Sequence, residues 1–251
     1  MIIAENLVKV YSGDVKALDG ISFHIEPGEV CGYLGSNGAG KSTTIRILCG
    51  MLEATSGNVI INGFNVNDDP TMVKKMIGYV PETGALFLSL TPFDFLEFVC
   101  RMYEMPKDIY VQRIYAFMEL FDLKNEINTP MHAFSKGMRQ KVLIISSLIH
   151  DPEVIVWDEP LSGIDYDTTL TIRNLVKDLR QRGKTFFYST HIVESAEKIC
   201  TRVIILNKGK IAFEGSVHED SPAELEQLMG KYSVMPGVNE KISGIFGNNK
   251  Q

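Results

Sequence analysis

The stretch Gly35-Ser36-Asn37-Gly38-Ala39-Gly40-Lys41-Ser42-Thr43 constrains this chain more than any other. It matches G-x-x-x-x-G-K-[ST] in full, with the strand-like Val30-Cys31-Gly32-Tyr33-Leu34 before it and a helical run ending near Gly50 after it. Strand, glycine loop and helix in that order are the context a phosphate loop requires, and they predict an α/β fold. Glycines let backbone N–H groups converge on phosphates, and the helix amino end adds about half a positive charge. Lys41 is placed to reach the terminal phosphates and Ser42 to ligate magnesium, with Thr43 beside it on the same turn. The bland alternative, a glycine-rich turn with no ligand, does not explain the flanking strand and helix.

A second chemical element lies downstream. The apolar run Val154-Ile155-Val156-Trp157 reads as a strand, and Asp158-Glu159 at its end would emerge at the carboxyl edge of a parallel sheet, the usual ligand crevice. Asp158 then suits the shell of a magnesium ion, through water, and Glu159 suits a general base or orienter of an attacking water. Alone, such a pair is as well read as a helix cap. His191 follows the strand Thr185-Phe186-Phe187-Tyr188 and Ser189-Thr190, and it precedes a helix, so it belongs beside the same crevice. A lone histidine is otherwise a packed or surface residue.

These motifs, taken with Phe134-Ser135-Lys136-Gly137-Met138, closely resemble the nucleotide-binding subunits of ABC transporters from Tyr11 to about Gly215. The resemblance implies an α/β fold: a P-loop NTPase core with an antiparallel β subdomain, over 1–83 and 152–218, and an inserted helical subdomain over 84–151. A short C-terminal helix and tail would occupy 219–251. It implies ATP and Mg2+ as cofactors, with Ser42, Glu82 and Asp158 as metal ligands and Glu159, His191 and Glu82 as catalytic candidates. His191 looks like the switch histidine that contacts the γ-phosphate, and Tyr11 like the aromatic that stacks on adenine. Ser162-Gly163-Ile164-Asp165 looks like the D-loop. In this family two subunits face head to tail, so Ser135, Lys136 and Gly137 would cap the γ-phosphate held by the partner's phosphate loop, and Asp165 would bridge the subunits. Read locally, Ser135 and Asp165 are also good helix caps, and Tyr11 is also a packed strand residue.

Three departures from the usual family pattern point to a branch. Glu82, in Gly78-Tyr79-Val80-Pro81-Glu82-Thr83, stands where the family carries glutamine and adds negative charge beside the γ-phosphate. The signature, usually Leu-Ser-Gly-Gly-Gln, has Lys136 for its first glycine, a cation able to approach the opposite nucleotide, and Met138 for its glutamine. Ser36 also replaces a common proline. The pattern looks like the Ecs-type, sodium-extrusion and bacitracin-export branch, whose ATPase pairs with a separate transmembrane permease subunit, and it favours export.

The remaining sequence fits a subunit of that kind. At 251 residues and 45% hydrophobic content the chain can bury a sizeable core, and its net charge of −6 offers no basic stripe for nucleic acid. No apolar run approaches the roughly eighteen residues needed to span a bilayer, and Glu5 and Lys9 interrupt any signal-peptide pattern. A cytoplasmic protein, peripheral on the inner face of the cell membrane through its permease, is expected. Cys31, Cys49, Cys100 and Cys200 have neither zinc nor disulfide spacing, so free buried thiols are expected. Strands over Ile21–Ile25 and Val59–Ile61, a helix opened by Thr91-Pro92 and ended by Pro106, and a hairpin at Asn207-Lys208-Gly209 are predicted. Ile109, Ile114, Phe117, Met118 and Phe121 are expected to form one core face, and Leu170, Leu175 and Leu179 mark the helix after Asp165. Ala85-Leu86-Phe87-Leu88 suits either a docking surface or the core. Ser221-Pro222-Ala223-Glu224 is a capping box for a short helix to Gly230. The reading is an ATP-hydrolysing subunit, a homodimer or a dimer with a related ATPase subunit, that powers a membrane transporter by ATP-driven dimerisation and binds no nucleic acid. The alternative is a soluble ABC ATPase of an assembly system such as iron-sulfur cluster biogenesis.

Overall fold

The computed structural model describes residues 1–82 and 87–217. The amino-terminal strands β1 (Ile2–Tyr11) and β2 (Val15–Ile25) alternate buried and exposed positions and pair antiparallel across the turn at Ser12 to Asp14. β3 (Val30–Leu34) is buried at every position, as a central strand covered on both faces should be. It runs into the phosphate loop and α1 (Lys41–Leu48). β4 (Ser56–Ile61) returns to β1, and β5 (Phe64–Asn65) completes a four-stranded antiparallel sheet in the order β2-β1-β4-β5. α2 (Pro70–Met76) and β6 (Ile77–Val80) follow.

The middle of the chain is helical. α3 (Pro92–Met102) starts on a capping box, with the Thr91 hydroxyl and the Asp94 carboxylate each accepting from the other's backbone, and Pro at the first position. α4 (Lys107–Leu120) and α5 (Lys136–Leu148) come next. β7 (Val154–Asp158), α6 (Tyr166–Gln181), β8 (Thr185–Thr190), α7 (Val193–Ile199), β9 (Arg202–Asn207) and β10 (Lys210–Ser216) then build a six-stranded sheet in the order β10-β9-β3-β8-β7-β6. All its pairings are parallel except β9 with β10, whose two-residue turn puts Lys208 and Gly209 at positive φ.

This sheet separates two cores. On one face Ile45, Leu48, Phe187 and Ile204 meet the antiparallel sheet through Leu18, Phe23 and Ile61. On the other, Ile155, Trp157 and Phe186 meet the helices through Leu96, Met118 and Ile144. Trp157 is fully buried, and its indole N–H donates to the Ser147 hydroxyl of α5 at 2.9 Å. β6 lies so close to α5 that a Cβ on Gly78 would fall 1.9 Å from the Ser147 carbonyl oxygen.

Several expectations need adjustment. α2 is a helix inside the stretch read as strands and turns, and only its Val73 is buried. Ile109 is exposed on α4, and Tyr110 takes the inward position beside Ile114 and Met118. α6 buries Thr168, Ile172 and Val176, leaving Leu170 exposed and Leu175 and Leu179 half-buried against the core. All four cysteines are free and buried. Ala85-Leu86, the capping box at Ser221 to Glu224, the helix to Gly230 and the tail lie outside the described residues.

Candidate nucleotide site

The sheet order brings the motif residues together. Leu34 at the end of β3 pairs with Thr190 at the end of β8, Asp158 of β7 pairs with Ser189, and Val80 of β6 pairs with Trp157. The phosphate loop, His191, Glu159 and Glu82 therefore leave four adjacent parallel strands at one carboxyl edge, where open α/β sheets hold ligands. Tyr11, at the far end of β1, comes to the same place from the antiparallel sheet. Together Tyr11, Ser36, Asn37, Gly38, Gly40, Lys41, Ser42, Thr43, Glu82, Asp158 and Glu159 line a cavity of about 430 Å³.

The loop's shape depends on two glycines that no other residue can replace. A Cβ on Gly35 would sit 2.5 Å from the Leu206 carbonyl oxygen, and one on Gly40 would sit 2.6 Å from that of Ala17. Gly40, at φ 116, is the N-cap of α1, which has no side-chain cap and no acidic residue in its first turn. The helix amino end is left bare for an anion. The hairpin turn between β9 and β10 fixes the loop from below: the Gly209 N–H donates to the Ala39 carbonyl at 2.9 Å, and the Asp19 N–H of β2 donates to the Gly209 carbonyl at 2.9 Å.

Inside the cavity one buried ammonium faces three carboxylates. Lys41 is buried, and its ammonium donates to the Gly35 and Ser36 carbonyls at 2.7 and 3.3 Å. Burial lowers its pKa, while the carboxylates of Glu159, Asp158 and Glu82 oppose that shift. Burial also holds the Asp158 carboxyl above the usual range. The Ser189 and Ser42 hydroxyls pull it back, and the negative charges of Glu82 and Glu159 add to the rise. Glu159 sits at φ 50, a conformation uncommon for a side chain of its size, and its N–H donates to the Ser189 carbonyl at 3.0 Å. One of its carboxylate oxygens accepts from the Thr190 hydroxyl at 3.2 Å, and the other lies 2.7 Å from His191 Nδ1. Glu159 and His191 form one hydrogen-bonded pair. At the mouth, the Tyr11 hydroxyl is 3.3 Å from the Thr43 hydroxyl, and the Lys9 ammonium lies 5.5 Å from the ring centroid. The Tyr11 ring is part-exposed, open to a planar ligand.

Sequence reasoning did not single out Val15, Lys16 and Ala17, which also line the cavity. The signal was available, because Tyr11 followed by a Ser-Gly-Asp turn predicts a hairpin that returns Val15 to Tyr11's side. Thr190 was read only as a strand end, although its hydroxyl bonds Glu159.

Four expected site residues lie elsewhere in the chain's own fold. Ser135 is the N-cap of α5, its hydroxyl accepting from the Met138 N–H at 3.2 Å. The Lys136 ammonium donates to the Ser162 hydroxyl at 3.1 Å, and a Cβ on Gly137 would fall 2.8 Å from the Gly163 carbonyl oxygen. Asp165 caps α6, accepting from the Thr168 N–H at 2.8 Å and its hydroxyl at 2.7 Å, and these bonds hold its carboxyl below the usual range. None of the four lines the cavity that holds Lys41 and Glu159.

A glycine loop on a bare helix amino end after β3, facing a carboxylate pair at the end of β7 two strands across the sheet, defines a P-loop nucleoside-triphosphatase. This chain belongs to the ABC transporter family, whose model matches residues 18–162. It is 37% identical over 205 residues to the ABC transporter ATP-binding protein NatA of Bacillus subtilis, covering 81% of this chain and 83% of that protein. It is 35% identical over 216 residues to the linearmycin resistance ATP-binding protein LnrL of the same organism, covering 86% and 69%. A dimeric, post-hydrolysis ATP-binding cassette bound to ADP and Pi superposes with a TM-score of 0.80 at 26% identity, over 87% of this chain and 99% of that one. The protein is an ATP-binding, ATP-hydrolysing subunit of a transporter, and the match to NatA agrees with the branch expected from Glu82 and the variant signature. Among the described residues no helix is long and apolar enough to cross a membrane.

Proposed function

We propose that two such subunits, identical or related, close head to tail on two magnesium-ATP molecules and so power export through a separate permease subunit. The observation that carries this reading is the division of the motif residues. Tyr11, Lys41, Asp158, Glu159 and His191 converge on one cavity or border it, while Ser135 and Gly137 at the amino end of α5 and Asp165 at the amino end of α6 lie outside it. Such a chain offers half of two sites, and a second subunit supplies the other half.

In this reading the Lys41 ammonium exchanges its loop carbonyls for the β- and γ-phosphates, and the backbone of Ser36 to Thr43 wraps them. Tyr11 stacks on adenine. Ser42, Asp158 and Glu82 are hard oxygen donors, which suits a magnesium ion that shares its shell with substrate phosphates. Among the described residues no cluster of three or more His, Cys, Asp or Glu side chains forms a cage for a metal held by protein alone. When bound, the ion neutralises charge on the phosphates. Glu159 aligns the attacking water and takes its proton as the new P–O bond forms and the β–γ bridge breaks, giving ADP and inorganic phosphate. Thr190 and His191 fix the carboxylate, and His191 contacts the γ-phosphate. The signature turn of the other subunit, with Ser135 at the positive end of α5, caps that phosphate.

Exposed Phe87, Leu88, Phe98 and Met102 suit a permease helix, and the Phe87 and Phe98 rings pack edge to face at 6.1 Å. The segments 1–83 with 152–218 and 84–151 would then act as the core and the coupling subdomain, with 219–251 as an appendage. Such a subunit works at the inner face of the cell membrane. The name of LnrL, a resistance protein, supports outward transport, and the relatives' names lend nothing to an assembly role. Purification of the tagged chain from detergent-solubilised membranes tests the reading. A multispanning partner at one-to-one stoichiometry is expected, and a soluble scaffold partner would overturn it.

A further inference from the structure

The amino end of α5 and the turn that follows Glu159 are tied together by successive contacts. Lys136 donates to Ser162, and the bare face of Gly137 lies against the Gly163 carbonyl. One turn on, the Gln140 amide donates to the Pro160 carbonyl at 3.0 Å from a buried position, and the Lys141 ammonium is 3.6 Å from the Asp165 carboxylate. The turn is anchored at its other end to the catalytic strand, because the Ser162 N–H donates to the Glu159 carbonyl at 3.2 Å. Gly163 at φ 78 leaves room for the lysine stem, which would touch a Cβ there at 3.3 Å. Two of these ties join side chain to side chain, Lys141 with Asp165 and Lys136 with Ser162, and only the second uses a residue, Lys136, that departs from the usual signature.

We propose that Lys136 is a positioning residue that braces its own chain's D-loop, so that the turn presenting Ser135 to the second subunit and the turn leading out of Glu159 move as one body. This rests on the two-subunit reading above. It assigns Lys136 a partner within its chain, not on the opposite nucleotide. The consequence is directional: closure of one site, felt at Ser135, reaches the other site's Glu159 through the Lys136–Ser162 contact.

The test compares Lys136→Met, Lys136→Arg, Ser162→Ala and the double variant Lys136→Met/Ser162→Ala. Binding of a fluorescent ATP analogue to the dilute single chain should stay within about twofold in all four, because the cavity around Lys41 does not include either residue. Turnover by Lys136→Met and by Ser162→Ala should each fall roughly tenfold at unchanged KM, the loss expected of one charge-assisted hydrogen bond. The double variant should fall no further than either single one, and Lys136→Arg should recover most of the activity. Hydrogen exchange at residues 161–165 of the nucleotide-free chain should speed up in Lys136→Met and return in Lys136→Arg. That readout needs no second subunit, so it separates failure of this proposal from failure of the dimer reading. Multiplicative losses in the double variant, or a loss in Lys136→Met with Ser162→Ala unaffected, would place the lysine on the opposite nucleotide and overturn the brace. Unchanged exchange and turnover would overturn it as well.

Discussion

Replacing Glu159 by Gln isolates chemistry from architecture. The carboxylate is buried, accepts from Thr190 and pairs with His191 at 2.7 Å. An amide of the same shape keeps both contacts: its carbonyl accepts from Thr190, and its N–H donates to Nδ1 of a neutral His191 carrying its proton on Nε2. With both contacts kept, and the second amide N–H on a residue that lines the cavity, the fold should lose less than about 1 kcal/mol. What disappears is the proposed base. A positioned general base contributes about 10² to 10⁴ in rate, or roughly 3 to 5 kcal/mol at 1.36 kcal/mol per decade. Removal also takes one negative charge from the trio, Glu159, Asp158 and Glu82, that faces Lys41. ATP affinity should hold or tighten, and the ATP-bound dimer should accumulate. Phosphate release under saturating magnesium-ATP, nucleotide titration and light scattering at high protein concentration check these three outcomes. A turnover loss below tenfold, or a weakened affinity, would refute the assignment of Glu159 as the base.

Three further outcomes follow from the geometry. Tyr11→Ala should weaken ATP binding by about 1 to 3 kcal/mol, the usual worth of stacking on a base, while leaving tripolyphosphate affinity unchanged, as calorimetry would show. Gly78→Ala forces a Cβ to 1.9 Å from the Ser147 carbonyl oxygen, a backbone atom that cannot step aside, so the urea midpoint should drop by the equivalent of about 3 kcal/mol or more. His150 stacks on Tyr103 with ring centroids 3.7 Å apart, and burial pushes its pKa down to about 4. The unfolded chain takes up this proton below about pH 6.5 and the folded chain does not, so stability should fall as pH drops from about 6.5 toward 4, by at most about 3 kcal/mol. His150→Phe should flatten that segment of the stability curve; an unchanged slope would assign the acid sensitivity to other groups.

What the sequence made legible follows a physical division. The strands at Val30 and Val154 are buried on both faces, so their apolar runs announce them, and the chemistry at their ends is local in sequence. α2 escaped because a seven-residue helix with one buried side chain, Val73, carries no periodicity to detect. On α4 the expected face holds at Ile114, Phe117, Met118 and Phe121, and only its first position differs: Tyr110, four residues before Ile114, turns inward in place of Ile109. Pairings between distant segments were invisible for a different reason. Nothing in the spacing of Lys136 and Ser162 says that they touch, since contact depends on how α5 packs against the strand end at Glu159. Thr190 was hidden by the same limit.

The turn at Gly209 has a consequence for what can fit. Main-chain bonds pin it to Ala39 on one side and to Asp19 on the other, which fixes the separation between the bare end of α1 and the aromatic ring at the end of β1. The two sheets thus act as the jaws of a caliper whose opening is set by backbone and not by side chains. With adenine stacked on Tyr11 as proposed, a ligand must span from ring to loop to engage both jaws, and selection for a whole nucleotide over its fragments would then rest on the joint between sheets, about two hundred residues along the chain and carrying no motif of its own.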